Sequence, residues 1–359
     1  MSTDAPQIAP APLVITRREG AITRITLNRP RAINALTLEM FGLLGAALET
    51  AQRDGSAAIL LDGAGERGFC GGGDIKEISG GDTMRILATE YRLDLALAES
   101  PVPVVGLMDG IAMGGGIGLA GHAKHRVVTE RSRLAMPEAR IGIVPDVGGH
   151  LLLARAPGRL GELLAVTAAE MGPGDAIALG FADRFVPSER LAALREALAG
   201  GADPGAACAR FAEPAPSSPL LAAQAWWEPI AEAAFGGAHA PASEDPAGAA
   251  LRLVHALDAA AARGGAGAAE AADAAATVRA MCPVSVAVTL AQIDRTRRLG
   301  LGLAEVLADD LRVLGRVAPR ADFTEGVRAQ VIDKDRDPRW SPARVEDLDP
   351  AELAAILAP

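Results

Sequence analysis

The sequence predicts an α/β domain followed by a mainly helical C-terminal region. Short β-rich runs alternate with helix-period segments from residue 13 to about residue 190. Two glycine clusters each stand where a β-rich run gives way to a helix. Such alternation belongs to a core in which helices cover strands. From about Leu191 to Ala280 the composition shifts to alanine, which favours helix. A length of 359 residues suits one large domain with an appendage, and 50% hydrophobic residues can fill a sizeable core. The expected division is a flexible tail over 1–12, a core over 13–190 and a mainly helical region over 191–359.

Along the core, Leu13–Thr16 and Ile22–Leu27 read as strands joined by a turn at Glu19-Gly20. Leu38–Arg53 has apolar residues at helical spacing and no internal proline. Ala57–Leu61 reads as a buried strand, Thr83–Glu99 as a helix stopped by Pro101, and Val102–Met108 and His125–Thr129 as strands. Helical patterns recur over Gly161–Thr167 and Ala176–Leu179. Beyond them, loops are expected near Pro214–Pro219 and Gly236–Pro246, and helix again over 282–318. Trp226-Trp227 reads as a packing anchor.

Composition excludes several classes. A net charge of −10 argues against nucleic acid as a main partner, though a nest of N–H groups can hold phosphate on an acidic protein. No apolar run reaches about 18 residues, so no membrane partner is expected. Met1–Leu13 lacks the features of a signal or transit peptide. Cys70, Cys208 and Cys282 are too widely spaced for a disulfide framework or a zinc site, which suggests a reducing cytoplasm. His122 and His125 have no matching acid or cysteine nearby, so no metal is implied.

The glycine clusters are Phe69-Cys70-Gly71-Gly72-Gly73-Asp74 and Met113-Gly114-Gly115-Gly116-Ile117-Gly118. At a strand-to-helix turn, glycine lets backbone N–H groups approach a ligand, and the helix N-terminus favours negative charge. Two such loops facing one point can supply two donors to one oxygen, as in an oxyanion hole. Either cluster alone serves equally well as a tight turn. Gly116 to Gly121 also fits the dinucleotide pattern G-x-G-x-x-G, which is weak by itself and falls mid-domain here.

Two acids follow prolines eight residues apart, in Met136-Pro137-Glu138 and Pro145-Asp146-Val147-Gly148-Gly149. Proline fixes the backbone ahead of each, so both sit on short turns and can be aimed into a pocket. Apolar neighbours such as Ile141, Ile143 and Val144 would raise a carboxyl pKa by desolvation. Asp146 equally suits a helix N-cap before Val147–Ala156.

Taken with Asn28 to Leu36, these motifs resemble the crotonase (enoyl-CoA hydratase/isomerase) superfamily over residues 13 to about 190. The resemblance implies a ClpP/crotonase-like spiral of β-β-α units building two near-perpendicular sheets, an acyl-CoA substrate, and no cofactor beyond the CoA carried by it. Farther on, Asp322 to Ala329, Ile332 to Asp335 and Pro338-Arg339-Trp340 resemble the C-terminal signature of the 3-hydroxyisobutyryl-CoA hydrolases. That narrower likeness implies hydrolysis of a 3-hydroxyacyl-CoA thioester in valine catabolism.

The resemblance places the N–H groups of Gly71 and Gly115 around the thioester oxygen. Arg31 and Ala32 would lie along the CoA nucleotide, with Gly71, Asp74 and Ile75 completing the CoA contacts. Glu138 takes the shared catalytic glutamate position, and Asp146 the hydrolase-specific acid. Glu90, before Tyr91, matches a residue facing the substrate. The hydratases carry a second glutamate where this chain has Gly118, which speaks against hydration. Three alternatives stay open: an isomerase needing only Glu138, an enoyl-CoA hydratase, and a non-catalytic acyl-CoA-binding protein. A homo-oligomer is compatible with the family, and the acyl chain is left undetermined.

Overall fold

The computed structural model describes residues 11–359, so most of the stretch assigned to a tail lies outside the described residues. β1 (Val14–Glu19) and β2 (Ile22–Leu27) form the expected antiparallel hairpin, and Leu38–Arg53 forms the expected helix. After β2 the chain winds as a spiral. β3 (Ala58–Gly63), β5 (Val104–Met108), β7 (His125–Val128) and β9 (Arg184–Phe185) extend one six-stranded sheet in the order β1-β2-β3-β5-β7-β9, parallel from β2 onward. β4 (Gly68–Cys70), β6 (Ile111–Met113) and β8 (Arg133–Ala135) form a second, parallel three-stranded sheet. Each turn of the spiral therefore gives one strand to each sheet before its helix, which is the β-β-α unit expected. The three-residue strands are too short to show alternation in sequence.

The large sheet is buried on both faces, as a parallel sheet must be. Ile59 and Leu61 face the main core, while Leu60, Val105, Leu107 and Val127 face outward. That outer face is covered by the helices Leu191–Ala199 and Pro204–Phe211, through Leu194, Leu198 and Ala207. Packing thus crosses residue 190. The remaining C-terminal helices join the main core, which holds Trp227, Leu253 and Val286 together with Ile25, Leu61 and Met108.

The alanine-rich stretch is helical, as its composition predicts: Pro246–Arg263 and Ala268–Ala280 run with a break at Gly264–Gly267. Ala249, Ala250, Ala271 and Ala275 are buried, so small side chains let these helices pack closely. Trp227 is a packing anchor: its ring is fully buried and its Nε1–H donates to the Arg159 carbonyl at 2.7 Å. Among the described residues no single helix is long and apolar enough to cross a membrane.

Candidate active site

Both glycine loops open into one cavity of about 230 Å³. Its walls combine Gly71, Gly73, Gly114 and Gly115 with the acids Glu90, Glu138 and Asp146. Apolar surface comes from Ile75, Ile78, Leu87, Ile141 and Ile143. Four C-terminal residues close it: Leu314, Ala318, Phe323 and Gln330.

The backbone donors differ from expectation at one residue. The Gly71 N–H is engaged, donating to the Ile33 carbonyl at 2.7 Å, so Gly71 is a wall residue and no free donor. Two residues on, the Gly73 N–H has no acceptor among the described residues, nor has the Gly115 N–H. A Cβ added to Gly115 would stand 3.4 Å from the Gly73 nitrogen, so the two amides are neighbours. The spacing of three successive glycines could not say which of them turns its N–H inward. Gly114 at φ +48°, ψ −118° makes the turn that frees Gly115, a conformation reserved to glycine.

Glu138 opens the 3-10 turn Glu138–Ile141 directly after β8 and Pro137, and it is buried. One of its carboxyl oxygens, Oε2, has no partner among the described residues, and Oε1 lies against Gly114. Burial, and then the nearby Asp146, push its carboxyl well above the usual carboxylate range. Asp146 does not cap a helix: the following helix, Gly149–Arg155, is capped by Gly148. Its Oδ2 accepts instead from the Tyr91 hydroxyl at 2.6 Å. Burial first, then Asp310, push the Asp146 carboxyl up to about 7, against the lowering effect of the Tyr91 bond. Glu90 is buried on the helix Thr83–Ala98, and burial followed by Asp146 raises it too. Glu138, Asp146, Glu90 and Gly115 are therefore brought together in one cavity.

Gly118 lies in the buried helix Gly115–Gly121. A Cβ there would meet the Val147 Cβ at 2.7 Å and the Asp94 Oδ2 at 2.8 Å. No second glutamate fits at that point, and its space holds Asp94, a residue absent from the sequence-based candidates. The glycines of the dinucleotide-like pattern serve packing: Gly116 against Cys70 and Gly121 against Ile117 and Leu152. His122 ends this helix and bonds the Val147 carbonyl through Nε2 at 3.1 Å.

Asp94 has both carboxyl oxygens buried without a partner among the described residues. Burial, then Glu90, hold its carboxyl well above the usual range. With its folded pKa raised, the stability it contributes is present below the unfolded value near 4 and is lost as pH rises through the folded value. Asp94→Asn is uncharged and of similar shape. It is expected to raise the thermal unfolding midpoint at pH 8 by roughly 2 °C or more and to change it little at pH 4. Melting curves at the two pH values check this.

The CoA-binding candidates divide. Gly71 and Ile75 line the cavity, whereas Arg31, Ala32 and Asp74 stand outside its wall. Arg31 and Ala32 share the exposed to half-buried turn Pro30–Ala32. Asp74 is engaged twice, capping the helix Ile75–Gly80 through Oδ1 and pairing with Arg29 through Oδ2 at 2.8 Å. Among the described residues no His, Cys, Asp and Glu grouping could hold a metal ion.

The C-terminal region supplies what the sequence reading missed. Gly326 packs on the Ile141 backbone with no room for a side chain, and Gly142, at φ +78°, packs on the Asp322 backbone. The signature segment therefore buttresses the turn bearing Glu138. Asp310, fully buried on the helix Leu303–Val317, accepts from the Gly148 N–H at 3.0 Å and meets His150 Nε2 at 2.7 Å. A sequence signal exists for these acids. Asp310 falls on the apolar stripe Val306, Val313, Leu314 and Val317, and Glu90 and Asp94 fall on the stripe Ile86, Leu87, Leu93 and Leu97. A carboxyl on a core-facing stripe is costly unless it has a task or a partner.

Comparison with known proteins adds five findings. Residues 22–357 match the family described as Enoyl-CoA hydratase/isomerase. The protein named 3-hydroxyisobutyryl-CoA hydrolase, mitochondrial, of Mus musculus is 34% identical over 360 residues, covering 95% of this chain and 87% of the relative. Its namesake from Rattus norvegicus is 36% identical over 348 residues, with the same coverage of 95% and 87%. Among solved structures, an enoyl-CoA hydratase from Rhodobacter sphaeroides 2.4.1 superposes with a TM-score of 0.84 at 40% identity, covering 97% of this chain and 98% of that one. A carnitinyl-CoA dehydratase from Mycobacterium thermoresistibile also reaches 0.84, at 37% identity and coverage of 97% and 96%. Both curated relatives are named as mitochondrial, which lends no support to the cytoplasmic location expected from the cysteines.

Proposed function

The chain belongs to the enoyl-CoA hydratase/isomerase family, and from that premise we propose that it hydrolyses a 3-hydroxyacyl-CoA thioester, converting 3-hydroxyisobutyryl-CoA to 3-hydroxyisobutyrate and CoA in valine catabolism. One observation carries the reading. Glu138 and Asp146 share a cavity with two free backbone donors, while the place of a second hydratase glutamate is closed by Val147 and Asp94. The curated relatives named as hydrolases, alike over nearly the whole chain, support it.

In this reading the thioester oxygen lies against the Gly73 and Gly115 N–H groups. Negative charge builds on that oxygen as the carbonyl carbon becomes tetrahedral, and the two N–H dipoles are already aimed at it. Glu138, ionised, either activates a water or attacks the carbon to give a mixed anhydride that water then cleaves. The C–S bond breaks, the CoA sulfur takes a proton, and the acid leaves as its carboxylate. Asp146, oriented by Tyr91, and Glu90 hold the 3-hydroxyl and the water. A site built to bond a buried hydroxyl rejects acyl chains lacking it by a wide margin. This chemistry needs no cofactor beyond the CoA of the substrate.

The test follows free thiol released from 3-hydroxyisobutyryl-CoA, with loss of the crotonyl-CoA double bond in parallel. Thiol release with little hydration is the expected result. Hydration or isomerisation without thiol release would overturn the proposal.

A further inference from the structure

We propose that Asp310 and His150 are positioning residues for Asp146: a buried acid–imidazole pair through which the C-terminal helices fix the Asp146 loop and hold a second carboxylate behind it. The inference rests on the hydrolase reading for its catalytic meaning, but its geometry stands apart from that reading.

The loop Pro145–Gly149 carries Asp146 between two elements. On one side the Tyr91 hydroxyl binds Asp146 Oδ2 at 2.6 Å. On the other, Asp310 accepts from the Gly148 N–H at 3.0 Å, two residues past Asp146. His150 ties the pair to the next helix. Its Nε2 lies 2.7 Å from Asp310 Oδ1, a close polar contact out of hydrogen-bond alignment, and its Nδ1 hydrogen-bonds the Thr296 hydroxyl at 2.8 Å on Pro283–Leu299. Asp310 and His150 are both fully buried. A buried carboxyl next to an already acidic site is destabilising in itself, so simple packing does not explain it. Its effect on Asp146 does: Asp310 ranks next to burial among the causes that raise the Asp146 carboxyl to about 7, and His150 opposes it with a smaller effect. An acid titrating there can take and return a proton at neutral pH.

The charged and titratable groups facing Asp146 come from every side. They are Tyr91, Glu90 and Asp94 on Thr83–Ala98, Glu138 on its turn, Asp310 on Leu303–Val317, and His150 on Gly149–Arg155. His122, which bonds the neighbouring Val147 carbonyl, is pushed down to about 4 by burial and is neutral across the working range.

Tyr91 offers a direct readout, because it is the only tyrosine in the chain. Its phenol donates to Asp146, so the ultraviolet resonance Raman tyrosine doublet, which reports phenol hydrogen bonding, follows the charge on Asp146 in ligand-free protein. The wild-type doublet is expected to titrate with a midpoint near the Asp146 value of about 7. In Asp310→Asn, which keeps an acceptor for Gly148 but removes the charge, the midpoint is expected to fall by about one pH unit. Where the variant is active, kcat at neutral pH is expected to drop by about tenfold with KM little changed, a modest share of what acid–base groups supply. Asp310→Ser removes the same charge with a smaller side chain and serves as the second variant if the first does not fold. An unmoved midpoint in a folded variant overturns the proposal, whatever happens to kcat, since a merely structural residue would lower activity without moving the titration. Should wild-type protein release no thiol while the midpoint still shifts, the hydrolase reading fails and the Asp310–Asp146 coupling survives.

Discussion

Glu138→Gln is expected to lower kcat for thiol release by about 10³-fold, within the range of about 10²–10⁴ that a positioned acid or base contributes. Glutamine keeps the shape of the side chain, but it neither attacks a carbonyl nor takes a proton from water. Glu138 sits in the cavity wall with one carboxyl oxygen unpartnered, so the neutral amide loses no strong bond and the fold is expected to hold. Substrate affinity, read by calorimetry with the slow variant, is expected to stay within a few-fold of the dissociation constant of a non-hydrolysable analogue on wild-type protein. Lost binding together with lost turnover would make Glu138 a structural residue. Undiminished turnover would remove it from the chemistry.

Gly115→Ala is expected to be nearly as damaging, for a different reason. The added methyl would collide with Glu90 Oε1 and stand 3.3 Å from Leu36 Cδ1 and 3.4 Å from the Gly73 nitrogen. Glu90 Oε1 is the unpartnered tip of a side chain lining the cavity, so the methyl drives it into the substrate's space or shifts the loop itself. Displacing one amide from the developing oxyanion costs about 2.7–4 kcal/mol of barrier, or about 10²–10³-fold in kcat. Steady-state kinetics on the purified variant measures this.

Legibility in the sequence followed chemistry and length. The helices and the longer strands were plain, because apolar periodicity over five or more residues leaves a countable pattern: Leu38–Arg53 is helical over its expected span. The three-residue strands β4, β6 and β8 were invisible for the converse reason, and they form the sheet that carries both glycine loops. At the site, Glu138 and Asp146 stand out as acids after prolines, while their roles, and Glu90 altogether, come from the resemblance to the family. The donor in the first glycine loop was misplaced by two residues. Identical glycines carry no side chain to reveal which N–H is engaged, and only the Ile33 carbonyl decides it. Asp94 and Asp310 went unnoticed because a helix full of apolar neighbours draws attention to its stripe rather than to the acid within it.

The packing across residue 190 has a consequence in time. During synthesis the glycine loops, Glu138 and Asp146 leave the ribosome well before Leu314 and Phe323, which close the same cavity from the other end of the chain. At about 5–20 residues per second, that interval is on the order of 10–35 s. Through it, the nascent chain carries several carboxyl groups in a pocket with no lid. Water solvates them, so the full upward pull of burial on their carboxyls begins only when the last third docks. The final folding step therefore doubles as the step that sets the proton affinity of the site's acids.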